Sequence, residues 1–426
     1  MEKLIRKSRS VCPVCLKNLP AELWQDEHGA VSLKKRCTEH GAFSVPIWRG
    51  ELDFESWTEH IPPLGEDMGL SCPTNCGICA EHESDSCCVL LEVTKRCNLR
   101  CRFCFANGGS ADEELSLDAL KEAVRDIVAK RGNVLLQLSG GEPTLRNDLP
   151  ELVRFAKAAG CSYVQLNTNG LRLAEDEKYA KALRDAGLDI VFLQFDGTDD
   201  KIYEFLRGRP MLKVKEKAID VCAGLGLGVT LVPTVVPGVN TDNLGELVRY
   251  AAQRVPAVRA VHFQPVSYFG RFPNAPENEQ RYTLDQLMAD ISQQAGLGID
   301  SFMPSRCDHP LCGFHANYIV RPDSSLKALS NITHSAKKKG CAVDNRAYVG
   351  KHWTRPPHEP APASISDEMD FDTFLYCMRQ RNLCLSSMAF QDAMNLNIER
   401  LHQCTLHVYE NGTVKPFCAN YLSPMI

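Results

Sequence analysis

Three cysteines, Cys97, Cys101 and Cys104, follow the spacing Cys-x3-Cys-x2-Cys. They come directly after the apolar run 89–93, which predicts a buried strand. Three thiolates on a tight loop can hold three irons of a [4Fe-4S] cube, since each iron takes one thiolate. The fourth iron then stays open for a substrate. The chemistry indicated is that of a cluster that binds a small molecule and passes an electron to it.

A second motif, Ser139-Gly140-Gly141-Glu142-Pro143, follows the next predicted strand. An ordinary glycine turn is the simpler interpretation. Its position one strand after the cysteine loop, and Phe103 directly before the last cysteine, favour a binding role. The combination resembles the radical S-adenosylmethionine (SAM) superfamily. That resemblance implies that the cluster on Cys97, Cys101 and Cys104 is catalytic and cleaves SAM, and that the backbone of residues 140–142 meets the SAM amino group.

The same cysteine spacing occurs again at Cys72, Cys76 and Cys79, so spacing alone does not identify the catalytic set. No predicted strand leads into this second set, and no Gly-Gly-Glu motif follows it at the right place. We interpret it as an auxiliary iron–sulfur site with Cys87 or Cys88 as the fourth ligand. A second SAM-cleaving site and unliganded thiols are the alternatives.

The N-terminal cysteines have the spacing of a zinc ribbon, with Cys12-x2-Cys15 followed by Cys37-x2-His40. Three thiolates and one imidazole suit tetrahedral zinc, and a rubredoxin-like iron is the alternative. Four protein ligands leave no open position, so the sequence predicts a structural metal site.

The C-terminal third carries cysteines that could hold a further closed cluster, namely Cys307, Cys312, Cys404 and Cys418. Cys341, Cys377 and Cys384 are competing ligands or free core cysteines. Cys161 and Cys222 fall in predicted helices or strands and are expected to be packing residues.

Polar residues follow the ends of several predicted strands, and the carboxyl ends of parallel strands meet at one edge of a sheet. We therefore predict a cofactor-binding role for Phe103, Ser139, Gly140, Gly141, Glu142, Asn167, Asn169, Gln194, Asp196, Asn240 and Gln264. Asn167 or Asn169 would reach the SAM ribose. Asp196 and His262 are acid–base groups or structural residues. Tyr268 is a candidate near the substrate, and Arg207 and Arg209 bind an anionic group or cap a helix.

The order of predicted elements indicates an α/β fold. Six strands alternate with helices across residues 89–275, which implies a parallel sheet. These roughly 190 residues are too few for a full eight-unit barrel, so we predict a partial six-unit (β/α)6 barrel. Residues 1–50 form the zinc-ribbon or rubredoxin-like segment and 51–88 the auxiliary iron–sulfur segment. Residues 276–426 form a C-terminal auxiliary-cluster region, with a helix at 276–300 and a long loop over 320–370.

Composition narrows the class of protein further. The 426 residues are 44% apolar and 24% charged with a net charge of -5, which gives no general attraction to nucleic acid or anionic membranes. Apolar runs are too short for a membrane span, and no signal peptide is recognisable, so we expect a cytoplasmic protein. Twenty cysteines in a long chain favour metal binding over a disulfide scaffold.

The resemblance extends beyond the superfamily. Segments along nearly the whole chain resemble the radical SAM (seleno)protein family TrsS. They are Cys87-Cys88 with the strand that leads into Cys97, residues 137–144, 165–171, 192–197, 232–240 and 262–270, Cys307-Asp308-His309-Pro310-Leu311-Cys312, and Pro416-Phe417-Cys418-Ala419. That family is similar to the class D radical SAM methylases and to tetraether lipid synthase. Some members carry selenocysteine, which we place at the Cys87-Cys88 pair; the pair would then be redox-active.

The resemblance implies several cofactors and partners. They are the catalytic [4Fe-4S] cluster, SAM, one or two auxiliary [4Fe-4S] clusters, a mononuclear zinc or iron, a low-potential electron donor such as flavodoxin or ferredoxin, and a SAM-dependent methyltransferase partner. The expected function is a transferase, working under anaerobic conditions, that forms a carbon–carbon or carbon–heteroatom bond on a small molecule or lipid. The alternatives are transfer of a SAM fragment such as the aminocarboxypropyl group, and a non-catalytic iron–sulfur protein for redox sensing or partner binding.

Overall fold

A computed structural model describes residues 1–59, 61, 70–73, 77–79, 81–109, 114–305, 307–329, 341–362, 364–365 and 369–425. Its N-terminal part is a four-stranded antiparallel sheet in the order β1-β2-β3-β4. These strands are β1 Lys3–Val11, β2 Asn18–Gln25, β3 Val31–Cys37 and β4 Gly41–Trp48. Alternating residues such as Leu23, Leu33 and Val45 are buried on one face, which explains why this short sheet holds together.

The central part of the chain forms the parallel strands that the sequence predicts. They are β5 Cys88–Thr94, β6 Leu135–Gly140, β7 Tyr163–Thr168, β8 Ile190–Gln194, β9 Gly228–Val232, the short β10 Thr234–Val235 and β11 Val258–Pro265. Strands β5, β6, β7, β8, β9 and β11 pair in parallel in that order. The predicted six-unit partial barrel is confirmed.

The C-terminal region adds strands to both edges of this sheet, which was not predicted. The added strands are β12 Met303–Pro304, β13 Phe314–Val320, β14 Leu326–Ala328, β15 Asn382–Ser387, β16 Leu406–Glu410 and β17 Thr413–Pro416. Strand β15 pairs in parallel with β11, and β16 pairs in parallel with β5. Residues that are distant in sequence are thereby brought to the sides of the central cavity.

Helices cover the outer face of the sheet and fill the connections. They are α1 Phe54–Thr58, α2 Leu117–Arg131, α3 Leu149–Ala159, α4 Leu171–Glu175, α5 Glu177–Asp185, α6 Asp200–Arg207, α7 Leu212–Gly224, α8 Leu244–Ala252, α9 Leu284–Ala295, α10 Ala342–Trp353, α11 Phe371–Gln380, α12 Ile398–His402 and α13 Phe417–Asn420. In α2 the side chain of Ser116 accepts a hydrogen bond from Ala119 N, and Gly132 ends the helix at φ 66°, as the sequence predicts. Among the described residues, every helix is too short or too polar to cross a membrane.

Successive side chains of the parallel strands alternate between the helices and a central cavity. Leu136 and Leu138 pack in the core beneath the helices, whereas Gln137 and Ser139 line the cavity. The cavity volume is about 290 Å³, and residues from all six predicted strands reach it. The sheet is therefore curved enough to enclose a ligand-sized space.

Two expectations for the flanking regions have different outcomes. The helix predicted at 276–300 is present as α9. The long loop predicted over 320–370 is wrong for residues 342–353, which form α10 and place Trp353 against the cavity. The error arose because α10 has weak amphipathic periodicity and is held by packing under the barrel.

Candidate active site

Cys97, Cys101 and Cys104 lie on the loop that follows β5, and all three line the central cavity. Cys104 and Arg271 exchange two backbone hydrogen bonds of 2.9 Å. Arg271 Nε also donates to the carbonyl oxygen of Cys101 at 3.0 Å. The residues after β11 therefore fix the shape of the cysteine loop, although they lie far away in sequence.

The thiols of this loop are partly or fully removed from water. Burial raises the pKa of Cys97 to about 11, and the charges of Glu142, Cys101 and Cys104 act in the same direction, opposed by the backbone N–H of Leu99. A thiol ligates metal as the thiolate, so binding must release this proton. Cys97 is thus protonated without metal and loses its proton when it binds iron.

The glycines that end β6 allow the second motif to approach the start of the cysteine loop. Gly141 N donates to Thr94 O at 2.7 Å, and Glu142 N donates to Arg96 O at 2.8 Å. A Cβ on Gly141 would lie 2.1 Å from the Arg96 carbonyl oxygen, and Gly140 has φ +117°. Only glycine fits this contact between two backbones.

Glu142 is 2% exposed, and its carboxylate is satisfied by the protein itself. Oε1 accepts hydrogen bonds from Thr144 Oγ1 at 2.5 Å and Thr168 Oγ1 at 2.7 Å, and Oε2 accepts one from Asn169 N at 2.7 Å. The side chain therefore joins the ends of β6 and β7. The residue acts as a positioning group.

The amides at the ends of β7 and β8 have different surroundings. Asn167 lines the cavity and donates to Ser139 Oγ at 3.3 Å, while its buried Oδ1 has no partner among the described residues. Asn169 is tied to Asn98 and to Leu171 N. Gln194 Nε2 lies 4.0 Å from Cys101 Sγ. Asn167 is thus the group best placed to receive a ligand.

Asp196 forms a buried ion pair with Arg207. Arg207 Nε donates to Oδ2 at 2.7 Å and Nη2 donates to Oδ1 at 2.5 Å, and both side chains are almost fully buried. Asn240 donates to the carbonyl oxygens of Asp196 and Thr234, each at 2.9 Å. The geometry favours the structural alternative for Asp196 and Asn240, while Arg207 itself lines the cavity.

The remaining sequence candidates divide between cavity and surroundings. Phe103, His262 and Gln264 line the cavity. Tyr268 packs edge-on against Phe103 at 6.2 Å between ring centroids. Arg209 is exposed on the loop after α6.

The N-terminal ligand set is assembled as its spacing predicts. Cys12, Cys15, Cys37 and His40 present donor atoms that all lie within 4.8 Å of one another. His40 Nδ1 is 3.6 Å from Cys12 Sγ and 3.5 Å from Cys37 Sγ. The turns that follow β1 and β3 place the two halves of this set side by side.

Comparison with known proteins gives the family. Residues 91–251 match the model described as "Radical SAM superfamily", and residues 4–49 match the model "HMPTM N-terminal zinc ribbon domain". The 7,8-dihydro-6-hydroxymethylpterin dimethyltransferase of Methanocaldococcus jannaschii is 30% identical over 97% of this chain and 92% of its own length. The chain belongs to the radical SAM superfamily.

One further relative and one solved structure match a smaller part of this chain. The GTP 3',8-cyclase of Limosilactobacillus fermentum is 32% identical over 49% of this chain and 62% of its own length. The structure of Streptococcus suis SuiB bound to precursor peptide SuiA aligns with 51% of this chain and 48% of that chain, at a TM-score of 0.43 and 16% identity.

The residues of the cavity fit the cofactors that a radical SAM enzyme of transferase type uses. The cysteine loop offers three thiols for a [4Fe-4S] cluster, and the backbone at Gly140 and Gly141 is open because a side chain would not fit there. Asn167, whose buried Oδ1 has no partner among the described residues, lines the same space. When bound, the cluster supplies the electron that cleaves a C–S bond of SAM. The protein's own residues hold the loop, exclude water and orient the amides.

The second Cys-x3-Cys-x2-Cys set is only partly described. Cys76 lies outside the described residues, Cys72 is buried and Cys79 is exposed. Cys72 Sγ lies 3.6 Å from His402 Nε2, with Glu81 as a third neighbour. Cys88 instead lines the barrel cavity and donates to Gln137 Oε1 at 3.3 Å, and Cys87 lines it too.

Cys312, Cys404 and Cys418 are near enough for their charges to interact. Burial raises the pKa of Cys404 well above its ordinary value, and the nearby charges of Asp308, Cys418 and Cys312 raise it further. Arg400 Nε donates to Cys312 Sγ at 3.4 Å. Cys307 has different neighbours, because its thiol donates to the carbonyl oxygen of Cys341 at 3.1 Å.

Two sets of site residues were missed from the sequence. Lys215 on α7 is fully buried and donates to the carbonyl oxygen of Asn169 at 2.6 Å, and burial lowers its pKa to about 7. No sequence signal distinguishes it from the surface lysines around it. Gln137 and Gln165 line the cavity. Side chains two residues apart on a strand face the same side. The glutamines two residues before Ser139 and Asn167 could therefore have been predicted to line the cavity.

We expect Cys37→Ser to remove one bound metal ion per chain and to lower the thermal stability of the N-terminal sheet. A tetrahedral site that loses one of its four ligands binds structural metal far more weakly. Metal analysis of anaerobically purified protein measures the loss and distinguishes zinc from iron. Cys101→Ala serves as the reciprocal control, since it should keep this ion. Unchanged metal content in Cys37→Ser would contradict the assignment.

Proposed function

We propose that this radical SAM enzyme is methylase-like and transfers a one-carbon unit to a small heterocyclic molecule bound in the barrel cavity. The observation that carries the proposal is the match, over nearly the whole of both chains, to a dimethyltransferase whose name specifies a pterin substrate. The cavity supports a ring-shaped substrate, since its lining combines aromatic and aliphatic side chains with a few amide groups.

The other metal sites extend the proposal. The N-terminal set Cys12, Cys15, Cys37 and His40 holds a zinc ion with a structural role, as the zinc-ribbon match favours. Cys312, Cys404 and Cys418 hold an auxiliary cluster beside the cavity. A second auxiliary cluster uses Cys72, Cys76 and Cys79. These clusters relay electrons from a low-potential donor such as flavodoxin or ferredoxin, or hold substrate.

Identifying the products made from SAM tests the proposal. The protein is reconstituted anaerobically with iron and sulfide, reduced, and incubated with SAM, 7,8-dihydro-6-hydroxymethylpterin and a methylene-folate donor. We expect 5′-deoxyadenosine and a methylated pterin by mass spectrometry. Methylthioadenosine with an aminocarboxypropyl adduct would support the alternative transfer reaction. Absence of any SAM cleavage would contradict the proposed function.

A further inference from the structure

The interior of the barrel contains a polar layer below the groups that face the cysteine loop. Interior positions of parallel barrels are usually filled by branched apolar side chains. Here Gln137 on β6 and Gln165 on β7 occupy directly paired positions, and both line the cavity. His262 on β11 and Phe192 on β8 line the same cavity, two residues before Gln264 and Gln194 respectively. We call Gln137, Gln165, Phe192, His262 and Trp353 the middle layer.

The amides of the middle layer have unused hydrogen-bonding capacity. Gln165 is 2% exposed, and its Oε1 has no donor among the described residues. Gln137 Oε1 accepts the Cys88 thiol at 3.3 Å, and within the described part of the chain no acceptor meets its Nε2. Buried polar groups of folded proteins are nearly always paired, so an orphaned amide beside a cavity indicates a missing partner.

The other three side chains of the middle layer are uncharged aromatic rings. The rings of Phe192 and Trp353 are stacked with centroids 5.6 Å apart and planes at 26°. The His262 ring packs against both, at 5.3 Å and 5.5 Å. His262 Nδ1 lies 2.9 Å from Ser386 Oγ, and burial lowers the pKa of His262 to about 3, so the imidazole is neutral. Aromatic faces and neutral amides suit a planar, uncharged ring system.

We propose that the middle layer binds the hydrogen-bonding edge of a planar nitrogen heterocycle. Gln165 Oε1 accepts from an exocyclic amine or a ring N–H, and Gln137 Nε2 donates to a neighbouring ring nitrogen or carbonyl oxygen. Such adjacent donors and acceptors occur on aminopyrimidinone rings, including pterins. An acyl chain would leave both amides unpaired. This inference rests on the proposed function and names the substrate class of the same cavity.

The inference is tested by measuring affinity while one protein amide and one ring substituent are removed, singly and together. The probes are 7,8-dihydro-6-hydroxymethylpterin and its 2-oxo analogue, which lacks the exocyclic amine. Each is titrated into the reconstituted holoenzyme by anaerobic calorimetry. We expect the native protein to bind the amino probe about tenfold more tightly than the 2-oxo probe, because the analogue leaves Gln165 Oε1 unpaired. Gln165→Leu should weaken binding of the amino probe by about tenfold and remove the discrimination.

Control variants separate recognition from folding. Gln165→Leu removes an unpaired buried amide, so its melting temperature without ligand should not fall. Gln253→Leu changes an exposed glutamine at the end of α8 and should leave binding of both probes unchanged. Gln137→Leu should weaken binding of the amino probe, because it removes the donor to the ring nitrogen or carbonyl oxygen.

The outcomes distinguish this inference from the proposed function. If Gln165→Leu retains the discrimination, or if the native protein binds both probes equally through a bridging water, the inference is overturned and the proposed function stands. If discrimination depends on Gln165 but no methylated product forms, the proposed function alone fails. If neither probe binds while SAM is still cleaved, both fail.

Discussion

Replacing Cys101 with alanine is expected to abolish SAM cleavage and to remove about one cluster's worth of iron, roughly four irons per chain. Cys101 is the most buried thiol of the cysteine loop and lines the cavity together with Cys97 and Cys104. Two thiolates cannot replace three around a cube with one open iron. We expect the production of 5′-deoxyadenosine to fall by at least about a thousandfold, a loss typical for removal of an essential catalytic group.

A matched control is available in the same domain. Cys222 is buried on α7 between the helices and the sheet, away from the residues that line the cavity. Cys222→Ala should keep iron content and SAM cleavage near the native level, with a modest loss of stability from the small cavity. Unchanged SAM cleavage in Cys101→Ala would contradict the assignment of the catalytic cluster to Cys97, Cys101 and Cys104.

Breaking the Asp196–Arg207 ion pair is expected to destabilise the protein by about 3–5 kcal/mol, because Asp196→Ala leaves a buried guanidinium without its counter-charge. Arg207 lines the cavity next to the cysteine loop, so SAM binding should weaken as well. Chemical denaturation under anaerobic conditions measures the free energy of unfolding.

Two further variants serve as controls for Asp196→Ala. Asp185→Ala removes an exposed carboxylate that pairs with Lys181 and should leave the free energy of unfolding nearly unchanged. The double variant Asp196→Leu/Arg207→Leu removes both charges and should recover part of the stability. If Asp196→Ala is as stable as Asp185→Ala, the pair does not hold the end of β8 in the way described.

The strands and helices of the barrel were predictable because their signals are local. Ser116 and Gly132 delimit α2, and the apolar strands alternate with helical patterns as a parallel sheet requires. The four-stranded N-terminal sheet was not predicted, although β3 alternates buried and more exposed residues. Helix α10 was not predictable, because its amphipathic periodicity is weak and it is held by partners elsewhere in the chain. Strands β15 and β16 pair with β11 and β5 across long separations that no local pattern encodes.

The sequence by itself placed the cysteine loop after one barrel strand and the glycine motif after the next. It also predicted the four N-terminal donor residues that the fold brings together, since each motif is a short run of residues. Tertiary structure alone decided which polar residues are free to act. Asp196 and Asn240 are held in buried hydrogen bonds, whereas Gln165, which lines the cavity, has a buried oxygen with no partner among the described residues. The physical reason is that pairing of a buried polar group depends on contacts among strands far apart in the chain.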